Sequence, residues 1–180
     1  NADNLKNQFV SFTSSTGYPT AFGNYWYQDW SQMVYTAAEL NAAGLSAGNI
    51  TALTFNLGAA ASPAAVGNYS IKLGSTNNST LSTFTTTNLT TVFSATSITS
   101  VVGDNLITFS TPYNWDGVSN IILDIRGTGA YSTGNATTKY TTTSGNTVVY
   151  AYTSTTNSSF WTSNPTATTS TSRLNIKFYG

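Results

Sequence analysis

"NIILDIRG" (residues 120–127) sends Ile121, Leu123 and Ile125 to one side of an extended chain and Asp124 and Arg126 to the other. An apolar period of two is the mark of a β-strand with one dry and one wet face, because successive side chains point to opposite sides of a pleated strand. The same period recurs in "NYSIKLGS" (68–75), through Tyr69, Ile71 and Leu73. It recurs again in "RLNIKFYG" (173–180), where Leu174, Ile176 and Phe178 alternate with Arg173, Asn175, Lys177 and Tyr179. Further candidate strands lie at "NQFVSFTS", "NITALTFNLG", "TNLTTVFSA", "DNLITFST", "TKYTTTS" and "NTVVYAYT". About nine or ten short strands separated by Gly, Asn, Ser and Pro predict an all-β fold, a two-sheet antiparallel β-sandwich of jelly-roll-like form.

One segment departs from this period. "TAAELNAAG" (36–44) opens on Thr36, carries Glu39 three residues later and closes on Gly44, the pattern of a capping box followed by a C-terminal glycine. It predicts one short capped helix of about two turns, which must pack on the sandwich to persist. The "SGN" at 144–146 predicts a hairpin between "TKYTTTS" and "NTVVYAYT", with Gly145 supplying the turn. "GAAASPAAV" (58–66) is interrupted by Pro63 and reads as a loop. The Thr- and Ser-rich stretches near 77–91 and 153–172 carry Leu81, Phe84, Leu89, Phe160 and Trp161, so they read as ordered polar edge segments.

The 180 residues are expected to form a single domain over 1–180, long enough to bury a core without disulfides, and the chain has no Cys. Only 7% of residues are charged, where about 25% is usual. Thr (34), Ser (23) and Asn (19) take their place on the surface. Six basic and six acidic residues cancel, so no basic patch exists to attract a phosphate backbone, and nucleic-acid binding is not expected. No apolar run approaches the length of a membrane span, and no membrane insertion is expected. "NADNLKNQFV" lacks the charged and apolar regions of a signal peptide, so an exported form is read as mature, after signal removal.

Four strings together, "QMVYTAAELNAAGLSAGNITALTFNLG" (32–58), "YSIKLGST" (69–76), "TPYNWDGVSNIILDI" (111–125) and "TSRLNIKF" (171–178), resemble a β-sandwich module of secreted, cell-surface proteins of the Bacteroidota. The shared features are the T-A-A-E-L turn, the W-D-G-x-S-N-I hairpin and the terminal R-x-N-I-K-F strand. Tyr113 and Leu174 depart from that pattern, which often has Phe and Pro there. The resemblance implies an extracellular or cell-surface location and a non-enzymatic accessory, adhesive or structural role.

Chemistry has few occupants in this chain. With no His and no Cys, Ser-His-Asp and Cys-His mechanisms are absent, and Glu39 is accounted for as a cap. Asp104 and Asp116 fall in turns, and Asp124 sits two residues from Arg126 on one strand face, where an ion pair is expected. No enzyme activity and no cofactor are therefore expected. A structural calcium is the single ion considered, at "GDN" or "NWDGVSN", and neither carries the dense acidic spacing of a dedicated loop. Asn49, Asn68, Asn78, Asn88 and Asn135 open N-x-S/T triplets, which act as glycosylation acceptors only in a host with that machinery.

Two surfaces remain as candidates. "NYWYQDWSQMVY" (24–35) concentrates Tyr25, Trp26, Tyr27 and Trp30 around Gln28 and Asp29, a candidate platform for a cell-surface glycan. The alternatives for these rings are core packing and a subunit contact. Phe9, Val10 and Phe12 in the uncharged "QFVSFTSSTGY", and Leu174, Ile176 and Phe178 in the terminal strand, are candidate edges for pairing with copies of the same chain. Trp115 reads as core, and Trp161 as a second candidate for exposure. The sequence therefore favours an extracellular structural or adhesive subunit that builds a filament or layer through its β-edges, with a carbohydrate-binding module as the alternative.

Overall fold

The computed structural model describes residues 2–3, 11–131 and 134–180. In chain order the strands are β1 (Ala2–Asp3), β2 (Ser11–Phe12), β3 (Gln28–Tyr35), β4 (Gly48–Ala59), β5 (Ala65–Thr76), β6 (Leu89–Thr99) and β7 (Gly103–Trp115). They continue with β8 (Asn120–Thr128), β9 (Thr137–Thr142), β10 (Val148–Thr153), β11 (Thr168–Ser170), β12 (Ser172–Leu174) and β13 (Lys177–Tyr179), and α1 (Ala37–Ala42) lies between β3 and β4. One sheet has the order β11-β10-β3-β8-β5-β6. In the other, β4 pairs with β7 on one side and with β13 and β9 on the other, while β1 pairs with β13, and β2 and β12 with β9. All of these pairings are antiparallel, and the two sheets pack face to face as a β-sandwich.

Between the sheets lies a core containing Phe22, Phe55, Tyr69, Ile71, Leu73, Ile107, Leu123 and Ile125, with Leu174, Ile176 and Phe178 from the C-terminal segment. The alternating residues of β5, β8 and the terminal segment thus supply the inner faces. Removing a side chain of this size from water stabilises the fold by roughly 1.5–3 kcal/mol. β8 has no wet face, however, because Ile121 through Ile125 are all buried. Its outer side meets a second cluster in which Trp30, Val34, Ile122, Val149 and Ala151 of the sheet are covered by Leu81, Phe84 and Phe160. Parts of the two Thr- and Ser-rich stretches form edges as expected, residues 89–91 opening β6 and Thr168–Ser170 forming β11. The parts that carry Leu81, Phe84 and Phe160 fold over the sheet instead.

The helix forms as its capping pattern predicts. Glu39 N donates to Thr36 Oγ1 at 3.3 Å and Thr36 N donates to Glu39 Oε2 at 2.9 Å. Gly44 follows at φ 95, a backbone angle open to glycine. Arg173 reaches the same carboxylate, with Nη2 at 2.6 Å from Oε1 and Nη1 at 3.0 Å from Oε2. Burial works to raise the Glu39 carboxyl, and the hydrogen bonds from Arg173 and Thr36 overcome it and hold the group down at about 2. The expected hairpin around Gly145 is not formed. β9 and β10 belong to different sheets, and the 143–147 turn carries the chain across the sandwich, held by Thr143 Oγ1 to Thr147 Oγ1 at 2.8 Å and by Val34 N donating to Thr147 O.

Candidate functional site

Seven aromatic rings converge where loop 13–27, the loop after β8, and the end of β10 meet. Tyr27 stacks on Tyr131 with centroids 4.5 Å apart and planes 9° from parallel. Tyr131 contacts Trp26 at 5.7 Å, and Trp26 stacks on Tyr152 at 4.7 Å and 10°. Tyr152 stacks on Tyr18 at 5.2 Å, Tyr18 on Tyr150 at 5.7 Å, and Tyr25 meets Trp26 edge to face. The result is a continuous ladder of rings. Tyr27, Tyr131 and Tyr152 are exposed, while Tyr18, Tyr25, Trp26 and Tyr150 are half-buried.

Strand period explains part of this placement. β10 gives Val149 and Ala151 to the outer cluster, so Tyr150 and Tyr152 emerge on the opposite side, across from Ser31 and Asp29 of β3. The loops supply the rest. Asn135 Oδ1 accepts from the backbone N–H groups of Asn24 (2.9 Å) and Tyr25 (3.0 Å), and its Nδ2 donates to Gly17 O at 3.0 Å. Asn24 Oδ1 accepts from Ala130 N at 2.8 Å, and its Nδ2 donates to the carbonyls of Pro63 and Ala65. A Cβ added at Gly129 would run into the Trp26 carbonyl and the Asn24 backbone, so only glycine lets the two loops close. Buried Asn135 is thereby occupied as a structural hub. Tyr131 follows at φ 52, a left-handed backbone uncommon for a bulky residue.

Asp29 lies beneath the ladder, not on it. It is 3% exposed, and Tyr18 Oη donates to its Oδ2 at 3.4 Å. Burial pushes its carboxyl up to about 7. The same burial, with the Asp29 charge, pushes the Tyr18 phenol far above its ordinary range.

Among the expected platform residues, the structure brings Tyr25, Trp26 and Tyr27 together at the surface and takes Trp30 and Asp29 away. Trp30 is fully buried under Phe84, stacked at 4.0 Å, because β3 turns it to the covered outer face. Its Nε1 donates to Asp124 Oδ2 at 2.7 Å, Gln32 Nε2 donates to the same oxygen at 2.8 Å, and Arg126 Nε donates to Oδ1 at 2.8 Å. Gln28 is also buried, bonded through both ends of its amide to Asn157. Trp115 lies in the core, and Trp161 is half-buried with Nε1 donating to Asp29 O at 3.0 Å. Tyr18, Tyr131, Tyr150 and Tyr152 were not singled out from sequence. The signal for two of them was the alternation in "VVYAYT", where tyrosines recur opposite small apolar residues.

The expected edges are also redistributed. Phe9 and Val10 lie outside the described residues. Phe12 is exposed, with its ring set over Gly58. Leu174, Ile176 and Phe178 point into the core, and β13 is flanked by β1 and β4, while Leu174 lies on β12, a three-residue strand at the end of the sheet that pairs with β9. Among the described residues, free edges of length belong to β6 and β7, which pair only with β5 and β4 and are tied to each other by Ser110 Oγ donating to Val92 O at 3.2 Å.

Asp116 serves its turn, whereas Asp104, expected in a turn, lies on β7 opposite Asn56 of β4. Asp104 Oδ1 accepts from Asn56 Nδ2, and Asp116 accepts from the backbone N–H groups of Val118 and Ser119. Among the described residues no group of three or more His, Cys, Asp or Glu side chains gathers as a metal site, and no helix is long and apolar enough to cross a membrane. Comparison with family models, curated proteins and solved structures returned no match.

Proposed function

We propose that this chain is a non-catalytic, exported structural or adhesive subunit that assembles with copies of itself through the edge of β7. One observation carries the reading. Every exposed large aliphatic side chain among the described residues, Val101, Val102, Leu106 and Val118, lies on β7 or in the turns flanking it, with exposures from 51% to 79%. Asn105 locks the preceding turn by bonding Val101 N, Val101 O and Gly103 O, so the valines are held outward on a rigid support. An edge strand in a monomer is normally blunted by Lys, Pro or a bulge. β7 has no basic residue and its one carboxylate is bound to Asn56, while Pro112 and a register irregularity against β4 between Thr108 and Tyr113 blunt its second half, which leaves residues 103–108 as the regular edge.

The partner that fits is the opposite edge of the same sheet in a second copy, where β1 and β2 are two residues each. Pairing β7 to that edge continues the sheet from copy to copy, and such a head-to-tail contact yields a filament unless its rotation brings the copies round into a ring. Sedimentation and electron microscopy at rising concentration test this. Full-length protein is expected to form linear polymers, and Leu106→Lys is expected to leave folded monomers. A wild-type chain that stays monomeric throughout, or polymers indifferent to Leu106→Lys, ends the reading.

A further inference from the structure

We infer that the aromatic ladder is a second, independent site, which binds an extended neutral carbohydrate along the rings from Tyr27 to Tyr150. Four observations carry it. Tyr131 adopts a left-handed backbone, a conformation that costs a non-glycine residue free energy, and yet the residue is 44% exposed. Core packing does not explain strain used to display a ring. The ladder is also segregated by chemistry, since all the exposed large aliphatic side chains lie along β7 and none lies here. A surface of rings and phenolic hydroxyls without aliphatic filler suits a ligand that is itself half C–H and half O–H.

Charge narrows the class. Asp29 is the carboxyl beneath the rings and it is buried, while the cation–π contacts of the described residues sit elsewhere, at Trp30, Tyr35 and Tyr179. Nothing here attracts phosphate, sulfate or uronic acid groups. Finally, the rings stack on one another, so they offer the ligand edges, hydroxyls and the outer faces of the exposed rings. Ring edges and phenols meet sugar oxygens, and ring faces meet sugar C–H groups. A row of six rings in contact favours a chain over a single sugar.

Calorimetry on the full chain with cellohexaose and chitohexaose, with glucose and hexagalacturonate as controls, tests the inference. At least one neutral hexasaccharide is expected to bind, with glucose weaker by more than about tenfold and hexagalacturonate not bound. Tyr131→Ala or Trp26→Ala should each weaken binding by about tenfold with the near-ultraviolet dichroism of the core retained. If Trp26→Ala fails to fold, the double substitution Tyr27→Ala, Tyr152→Ala at exposed positions serves instead. Leu106→Lys, directed at the other surface, should bind as wild type does, so the two sites fail or succeed separately. The inference falls if neither neutral hexasaccharide binds, if hexagalacturonate binds more tightly, if the ring variants bind unchanged, or if they abolish self-association, which would make the ladder a contact between copies.

Discussion

Asp29 and Asp124 are both nearly inaccessible, and their surroundings treat the charge in opposite ways. Asp124 is met by Arg126, Trp30 and Gln32 on its two oxygens, whereas Asp29 has Tyr18 and, among the described residues, no cation in salt-bridge contact. Removing the Asp124 carboxylate strands Arg126 without its partner, so Asp124→Ala is expected to cost on the order of 3–5 kcal/mol in urea unfolding. Asp29 gives a pH signature instead. Its folded value is raised from 3.8 to about 7, so the folded state holds the proton more tightly than the unfolded chain. The stability contributed by that proton is full below about pH 4 and is lost as pH rises through about 7, up to about 4 kcal/mol. Asp29→Asn should flatten the fall between about pH 4 and 7, and a wild-type stability no more sensitive to pH over that range than the Asn variant would contradict the assignment. The Asp124–Arg126 pair was legible in "LDIR", where the two residues share a strand face, whereas nothing in "YQDW" marks Asp29 for burial, because the side chains that face it come from elsewhere in the chain. Trp26 and Trp30 make the same point. Four positions apart, one joins the surface ladder and the other lies under Phe84.

Among the elements, α1 and the alternating strands could be read directly, since capping and period are local properties. Thr36→Ala removes the hydroxyl that accepts from Glu39 N and is expected to lower stability by about 1 kcal/mol, read from the thermal midpoint, with the ladder unaffected. Sheet membership was less legible. A period of two tells which side chains share a face and is silent on the partner strand, so β9 and β10 looked like a hairpin although they lie in different sheets. The covered outer face of β3 and β8 was hidden for a similar reason, because Leu81, Phe84 and Phe160 are isolated apolar residues in polar segments remote in sequence from Ile122. Gly129 is the element-scale test of the ladder. Gly129→Ala should push the 24–26 backbone away and weaken the near-ultraviolet signal of the stacked rings, with the core strands still folded.

At the scale of the molecule, exposed large apolar side chains among the described residues gather at an aliphatic edge and an aromatic ladder, with Phe12 apart from both. The two ion pairs among the described residues are Arg126–Asp124, with Asp124 fully covered, and Arg173–Glu39, with Arg173 covered. Mobile ions act on charges they can approach, and at about 1 M salt their reach shrinks to about 3 Å. A protein whose surface is written in hydroxyls and amides offers them little to screen. Its melting temperature, and the self-association proposed through β7, should therefore stay level from dilute buffer into sodium chloride at brine strength, conditions under which an assembly held by surface charge would come apart.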